Sequence, residues 1–437
     1  MTDAQNAMLA LGALFVLIAL RVPLAVALIS VSFAGIWHVV GWNAAMGSLR
    51  IIPYSFAANW QLSSVPMFLL MGYLAYHTGI TRGLFRAARV WLSWMPGGLA
   101  VASILGCSGF AAVTGSSVAC AAAMGRIAVP EMLKNKYDPG LATGTCAAAG
   151  TIGALIPPSI LFIIFGIMAS VPIGELFAGG AAAGLLTAAS YIATVVIWAT
   201  LKPSAAPRVV EPNLRHELLA SLRETGPVVM LAALVFGGLF GGLFTPTEAG
   251  AVGSMLCAAI AAMNRMLTWD SIKRSVEESF ATSAMIFAIA IGANLLARYM
   301  AISGSDDFIR ELFAFTSSSK LLLLLSIVVI YLILGCFLDP LGAMLLTMPI
   351  ILPLVAREQI NLVWFGVFLG KLLEIGMITP PVGLNVFVLK GVVGDSISLG
   401  TIFRGVMYFL MADMVVVGIM IAFPDIIMYW PSLVSQG

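Results

Sequence analysis

The chain has 437 residues, 61% hydrophobic and 10% charged, with a mean hydropathy of +1.04 and a formal net charge of +2. Soluble globular chains carry about 25% charged residues, so this composition excludes a water-soluble domain and describes an all-α polytopic protein of the lipid bilayer. The basic residues are scattered among loops, which excludes a nucleic-acid partner.

Met1-Thr2-Asp3-Ala4-Gln5-Asn6 lacks the basic start of a cleaved signal peptide, so the first span is expected to be retained. Ala7 to Leu20 and Val22 to Val40 read as two spans joined at Arg21. The positive-inside rule then places the N-terminus in the periplasm and Arg21 in the cytoplasm. Met46 to Gln61 suits a short interfacial helix, and Pro66 to His77 crosses back. It delivers Arg82, Arg86 and Arg89 to an amphipathic arm ending at Trp91 and Trp94. Residues 1–96 are thus scaffold spans and an arm.

Gly97 to Gly125 is uncharged for 29 residues. As one helix it would be about 43 Å long, too long for a hydrocarbon core of about 30 Å. Its middle, Ala112-Val113-Thr114-Gly115-Ser116-Ser117, is small and hydroxyl-rich, so a re-entrant hairpin is expected. Asp138 to Ser170 crosses outward through Gly150-Thr151-Ile152-Gly153-Ala154-Leu155-Ile156-Pro157-Pro158-Ser159. Two prolines there must interrupt the helix, and the freed backbone groups need a buried or wet partner. Glu175 to Thr200 returns, completing a unit over 97–200. Residues 201–225, with three prolines and four basic residues, read as a polar cytoplasmic linker.

The plan then repeats. Residues 226–303 hold two spans, Pro227 to Phe244 and Glu248 to Met263, then an amphipathic arm and the span Ala281 to Ser303. The first carries Gly-x-x-x-Gly at Gly237/Gly241 and Gly238/Gly242, which permits close helix contact. Residues 304–437 hold a second hairpin, Leu321 to Ala356, a second break at Thr379-Pro380-Pro381, and a closing span, Ile402 to Phe423. Three pairs of segments match in the same order. They are Ile104-Leu105-Gly106-Cys107 with Ile333-Leu334-Gly335-Cys336, the two double prolines, and Gly174 to Gly179 with Gly400 to Gly405.

Charge argues that the repeat is inverted. The first hairpin is flanked by six basic residues (Arg82, Arg86, Arg89, Arg126, Lys134, Lys136) against Glu131 and Asp138. The second is flanked by Arg310, Lys320 and Arg357 against Asp306, Asp307, Glu311 and Glu358. The first therefore opens to the cytoplasm and the second outward, as in inverted-topology transporters. The sum is about ten crossings plus two re-entrant hairpins in two inverted-topology repeats, the plan of an ion-coupled transporter.

Hydroxyl, amide and freed carbonyl oxygens at the two tips and two breaks offer hard ligands suited to Na+. The expected ion-binding residues are Ser108, Thr114, Ser116, Ser117, Thr151 and Gly153 in the first half. Asp339, Gly376, Thr379 and Asn385 are their counterparts in the second, with Thr347 a further candidate. Substrate is expected against Ser117, Pro157, Pro158, Ser159, Pro380, Pro381 and Asn385. Asp339 also suits a helix N-cap, since Asp339-Pro340 is a common helix start. Lys371 and Glu374, three apart on one helix, are expected to pair with each other. Five cysteines lie in apolar segments and suit packing rather than disulfides. His38, His77 and His216 are scattered, and no catalytic or phosphate-binding arrangement occurs, so neither an enzyme nor a cofactor is expected.

Gly150 to Ser159, Leu373 to Asn385 and the Thr114 to Ser117 tip resemble the large membrane subunit of tripartite ATP-independent periplasmic (TRAP) transporters. The resemblance covers the chain from its first span to Phe423. It implies an elevator mechanism, Na+ coupling, a bacterial inner-membrane location, a small four-helix membrane subunit and a periplasmic substrate-binding protein. That protein would deliver an organic acid, such as a C4-dicarboxylate or a sialic acid. Because the chain starts directly with the large subunit, a separate small subunit is expected. The alternative is a stand-alone Na+- or H+-coupled elevator-type anion carrier that needs no binding protein.

Overall fold

Helix starts leave four backbone amides without partners, and here short polar side chains take them up. Asp138 Oδ1 accepts from Gly140 N at 2.8 Å and Leu141 N at 3.1 Å, and Asn361 Oδ1 accepts from Val363 N and Trp364 N in the same way. These two caps open the two helices that the double prolines later break. The computed structural model describes residues 3–208, 214–304 and 319–434, and every regular element among them is a helix.

The first half contains α1 (Asp3–Ala19), α2 (Leu24–Val40), α3 (Trp42–Ala57), α4 (Ser64–Thr78) and α5 (Gly83–Leu92). A hairpin of α6 (Gly98–Thr114) and α7 (Ser117–Lys134) follows. A broken helix comes next: α8 (Pro139–Gly150), a 3-10 turn (Thr151–Ala154) and α9 (Ile160–Ala169). The long α10 (Ile173–Leu201) closes the half. The second half contains α11 (Leu214–Phe240), α12 (Pro246–Met263) and α13 (Trp269–Ser303), then the hairpin α14 (Lys320–Gly335) and α15 (Pro340–Arg357). Its broken helix is α16 (Leu362–Gly376) with α17 (Leu384–Val393), followed by α18 (Leu399–Ala422) and α19 (Asp425–Val434). The succession of hairpin, broken helix and long helix thus occurs twice.

Among the described residues, six helices are long and apolar enough to cross a membrane. Five shorter apolar helices accompany them, among them α6, α9 and α14. On one side α13 lies along α2 and α4, with α12 against α4. On the other α8 is flanked by α7 and α18, and α17 lies against α7. All five cysteines are buried and free.

Several elements differ from the sequence expectation. The second arm and its span form one 35-residue helix, α13, about 52 Å long at 1.5 Å per residue. The first arm is cut off from α6 by Met95-Pro96-Gly97, and 265–303 has no such breaker after the helix begins at Trp269. Helix α11 already starts at Leu214, inside the expected linker, and α19 follows the expected final span. A Cβ on Gly237 or Gly242 would meet nothing within 4 Å, and the nearest neighbours of Gly238 and Gly241 are the Phe244 ring and the Gly237 carbonyl of the same segment, so the glycines are not seen closing on another helix among the described residues. Gly335 stands at the end of α14, beside the tip, whereas Gly106 lies inside α6. The counterpart of Gly335 is therefore Gly115, and the matched tetrapeptides are not equivalent in position. Asp306, Asp307, Arg310 and Glu311, used in the charge comparison, lie outside the described residues.

The first tip closes against the first break through Gly115. Its φ is +60°, and a Cβ there would lie 2.2 Å from Pro158 O. Gly115→Ala is expected to cost about 1–3 kcal/mol and lower the thermal midpoint in detergent. Gly12→Ala, inside α1 where a Cβ meets nothing within 4 Å, should leave that midpoint unchanged or slightly raised. Equal midpoints for the two variants would show that the tip does not depend on this contact.

Candidate functional site

Each hairpin tip sits on the break of its own half. Ser116 caps α7, its Oγ accepting from Ala119 N, and a Cβ on Gly153 would lie 2.9 Å from Ser116 O. In the second half a Cβ on Gly335 would lie 2.6 Å from Gly376 Cα, so the two backbones touch. Cys336 Sγ donates to Pro380 O at 3.1 Å beside that contact. Both double prolines contain a cis bond, Pro157-Pro158 and Pro380-Pro381.

Among the hydrogen bonds that cross between the halves, two lie beside the tips and breaks. Ser117 Oγ donates to Glu374 Oε2 at 2.5 Å, joining the first tip to the helix that carries the second break. Asn385 Nδ2 donates to Ala147 O at 3.3 Å, joining α17 to α8. All of these groups are buried, so each polar atom relies on protein partners rather than on solvent. Among the described residues, Glu374 Oε1 and Asn385 Oδ1 have no hydrogen-bond partner.

A cavity of about 500 Å³ opens where the tips face α4 and α13. Thr114 to Ala119 line one side, Asp339 to Leu341 another, and Glu374 and Met377 the floor. Tyr73 and Tyr76 of α4 and Glu278 and Thr282 of α13 stand opposite. The cavity wall holds three carboxylates (Glu278, Asp339, Glu374) and, among the described residues, no lysine or arginine. Glu278 Oε1 lies 3.1 Å from His77 Nε2, which is outside the lining.

Behind the cavity runs a fully buried ionic network. Lys371 Nζ donates to Asp413 Oδ1, and Tyr191 OH donates to Asp413 Oδ2 at 2.8 Å. Tyr191 OH also lies 3.1 Å from Thr151 Oγ1 in the first break, and Lys371 Nζ sits 5.5 Å from the Tyr191 ring centroid. The expected pairing of Lys371 with Glu374 is therefore not made. Lys371 faces α18 and α10, while Glu374 turns to Ser117.

The structure gathers some expected residues and disperses others. Thr114, Ser116, Ser117 and Asp339 line the cavity. Asp339 is exposed rather than deeply buried, and its Oδ2 caps α15 by accepting from Gly342 N at 3.0 Å. Asn385 and Gly153 are buried behind the wall, and Gly376 meets Gly335. Thr151 belongs to the ionic network. Ser108 lies within α6 and donates to Ile104 O at 3.0 Å, so it is not part of the tip. Thr347 bonds back to Ala343 O and to Tyr331, and Thr379 donates to Ile375 O. Pro157, Pro158 and Ser159 are buried and do not line the cavity, and Ser159 caps α9. Pro380 and Pro381 lie outside the lining as well. Tyr191 and Asp413 were absent from the sequence expectation. The signal for Asp413 was available: a carboxylate inside an apolar 24-residue helix.

Hairpins resting on broken helices, with a cavity that holds three carboxylates at their junction, define a membrane transporter built from discontinuous helices. The family described as "Tripartite ATP-independent periplasmic transporter, DctM component" matches residues 11–426, and the chain belongs to it. Among its relatives, the C4-dicarboxylate TRAP transporter large permease protein DctM of Pseudomonas aeruginosa is 33% identical over 387 residues, 88% of each chain. The isethionate TRAP transporter permease protein DctMQ of Oleidesulfovibrio alaskensis is 34% identical over 360 residues. That match takes in 81% of this chain and 56% of the relative's length. The crystal structure of the YdaH transporter of Alcanivorax borkumensis shares the fold, with a TM-score of 0.55 at 15% identity over 88% of this chain and 90% of that one. The relatives are transporter permeases, and the chain is a large permease subunit rather than an enzyme.

Removing one partner of a buried ion pair leaves an uncompensated charge, at a cost of about 3–5 kcal/mol. Lys371→Met is therefore expected to lower the thermal midpoint markedly. Lys371→Met with Asp413→Leu should recover most of the loss. A double variant no more stable than the single one would show that the two charges do not compensate each other.

Proposed function

We propose that the chain is the transport subunit of a Na+-coupled TRAP importer of an organic anion in the bacterial inner membrane. The observation that carries the reading is the cavity wall: three carboxylates with no lysine or arginine among its described lining residues. An anion entering such a wall meets like charge, which disfavours it unless cations enter with it. Oxygen donors at the tips and breaks (Ser116, Ser117, Asn385, and the backbone at Gly153 and Gly376) suit Na+ in that role. The relatives named for C4-dicarboxylate and isethionate carry anionic solutes in their names, which agrees with an organic acid as substrate. We assign the partners by family: a small four-helix membrane subunit, and a periplasmic binding protein that delivers the solute.

The hairpins, broken helices, α10 and α18 would form the moving body of an elevator, with α2, α4, α12 and α13 as its fixed frame. The cavity at their junction supports this division. About ten crossings, an inverted repeat, a periplasmic N-terminus and a cytoplasmic 201–225 segment complete the proposed topology. The basic flank of the first hairpin supports it, with Arg89 held to Glu131 at 2.9 Å and Arg86 to Glu224 at 2.8 Å.

Uptake is measured in proteoliposomes holding the chain, its small subunit and the loaded binding protein. It should require an inward Na+ gradient and stop when choline replaces Na+. Uptake indifferent to that exchange would reject Na+ coupling, and full uptake by the chain alone would reject the tripartite reading. Asn385→Ala removes a buried amide that joins the halves and should lower Na+-driven uptake by about tenfold or more at normal expression. Wild-type uptake in that variant would remove Asn385 from the transport machinery.

A further inference from the structure

Three acidic or basic groups are buried close together on and beside α16, and they do not cancel. Lys371 and Asp413 are both fully buried and neutralise each other. Glu374, one turn on, is 1% exposed and makes no ion pair among the described residues. Its Oε2 accepts from Ser117, and its Oε1 accepts from no described residue while the side chain lines the cavity. A second bare acceptor belongs to a side chain near Ser117. Asn385 is fully buried with Oδ1 unpartnered, and a Cβ on Gly150 would touch both Asn385 Nδ2 and Ser117 O at 3.1 Å. Ser117 thus bonds a carboxyl group whose other oxygen lacks a donor among the described residues, and its carbonyl lies near an amide whose oxygen lacks one too.

A buried carboxylate without a counter-charge is costly, and uptake of a cation or of a proton removes the cost. A carboxylate, a hydroxyl and an amide oxygen are hard donors, which favours an alkali cation over a soft metal. We propose that Glu374 is the carboxylate ligand of a coupling Na+, receiving the ion on Oε1 while Oε2 stays on the Ser117 hydroxyl. The proposal rests on the Na+-coupled reading above and adds to it the one ligand that carries a full charge. It also gives the Ser117–Glu374 bond a purpose: Ser117 holds the carboxylate at the first tip, so ion occupancy in the second half is felt by the hairpin of the first.

The full chain, co-purified with its small subunit in detergent, is heated at increasing Na+ with choline holding ionic strength constant. Binding to the folded state raises the midpoint in a saturable way. Glu374→Gln keeps the shape and an acceptor for Ser117 but removes the charge. It should fold normally in choline and need at least about tenfold more Na+ for half-saturation. Glu374→Asp keeps the charge but withdraws it by one methylene, and it should weaken Na+ to a similar extent. This second variant decides the matter if the first does not fold. An unchanged Na+ response in a folded variant of either kind overturns the proposal and leaves Na+ coupling standing. A wild-type midpoint that ignores Na+ but rises on acidification overturns the proposal and the Na+ reading together.

Discussion

Two helices in this protein are broken inside an apolar interior, and the backbone groups so released must be satisfied by protein. The hairpin tips meet that constraint. Gly115 lies against the Pro158 carbonyl, Gly335 against Gly376, and Cys336 donates to Pro380 O. Such close approach is open only to residues without a Cβ, which is why glycine occupies both tips. The tip and the break of each half are therefore one structural unit, and neither could hold its shape in lipid without the other.

The two units are in turn locked together by polar links of very different energetic character. Ser117 to Glu374 and Asn385 to Ala147 are single hydrogen bonds across the junction. The Lys371–Asp413–Tyr191–Thr151 network is ionic and entirely buried. Burial makes an ion pair a poor source of net stability but a strong source of specificity, because either charge alone is heavily penalised. The network thus fixes α10, α16 and α18 relative to the first break, leaving the cavity face as the place where charge is still uncompensated.

That cavity is bounded on one side by tips and breaks and on the other by α4 and α13. Its polar content is unequal: carboxylates and hydroxyls line it, and the nearest described histidine, His77, lies outside the lining. On the reading proposed above, an anion carrier with acidic walls makes a cation a requirement of loading. The same wall explains how the two ligands could be coupled without any direct contact between them, since each alters the electrostatic cost of the other.

Membrane class, both breaks and both hairpins were legible in the sequence, because each depends on local composition. A 29-residue uncharged run with a small-residue centre has to turn, and Pro-Pro has to break a helix. The caps at Asp138 and Asp339 follow from adjacent residues as well. Even the misjudged join in α13 was local: no breaker separates its arm from its span. The partners of buried charge were decided only by the tertiary structure. Lys371 and Glu374 share a helix face at three-residue spacing, yet one turns to Asp413, 42 residues away, and the other to Ser117, 257 away. Helical periodicity tells which side a residue occupies, but what stands opposite is set by how distant helices pack, and no local pattern encodes that.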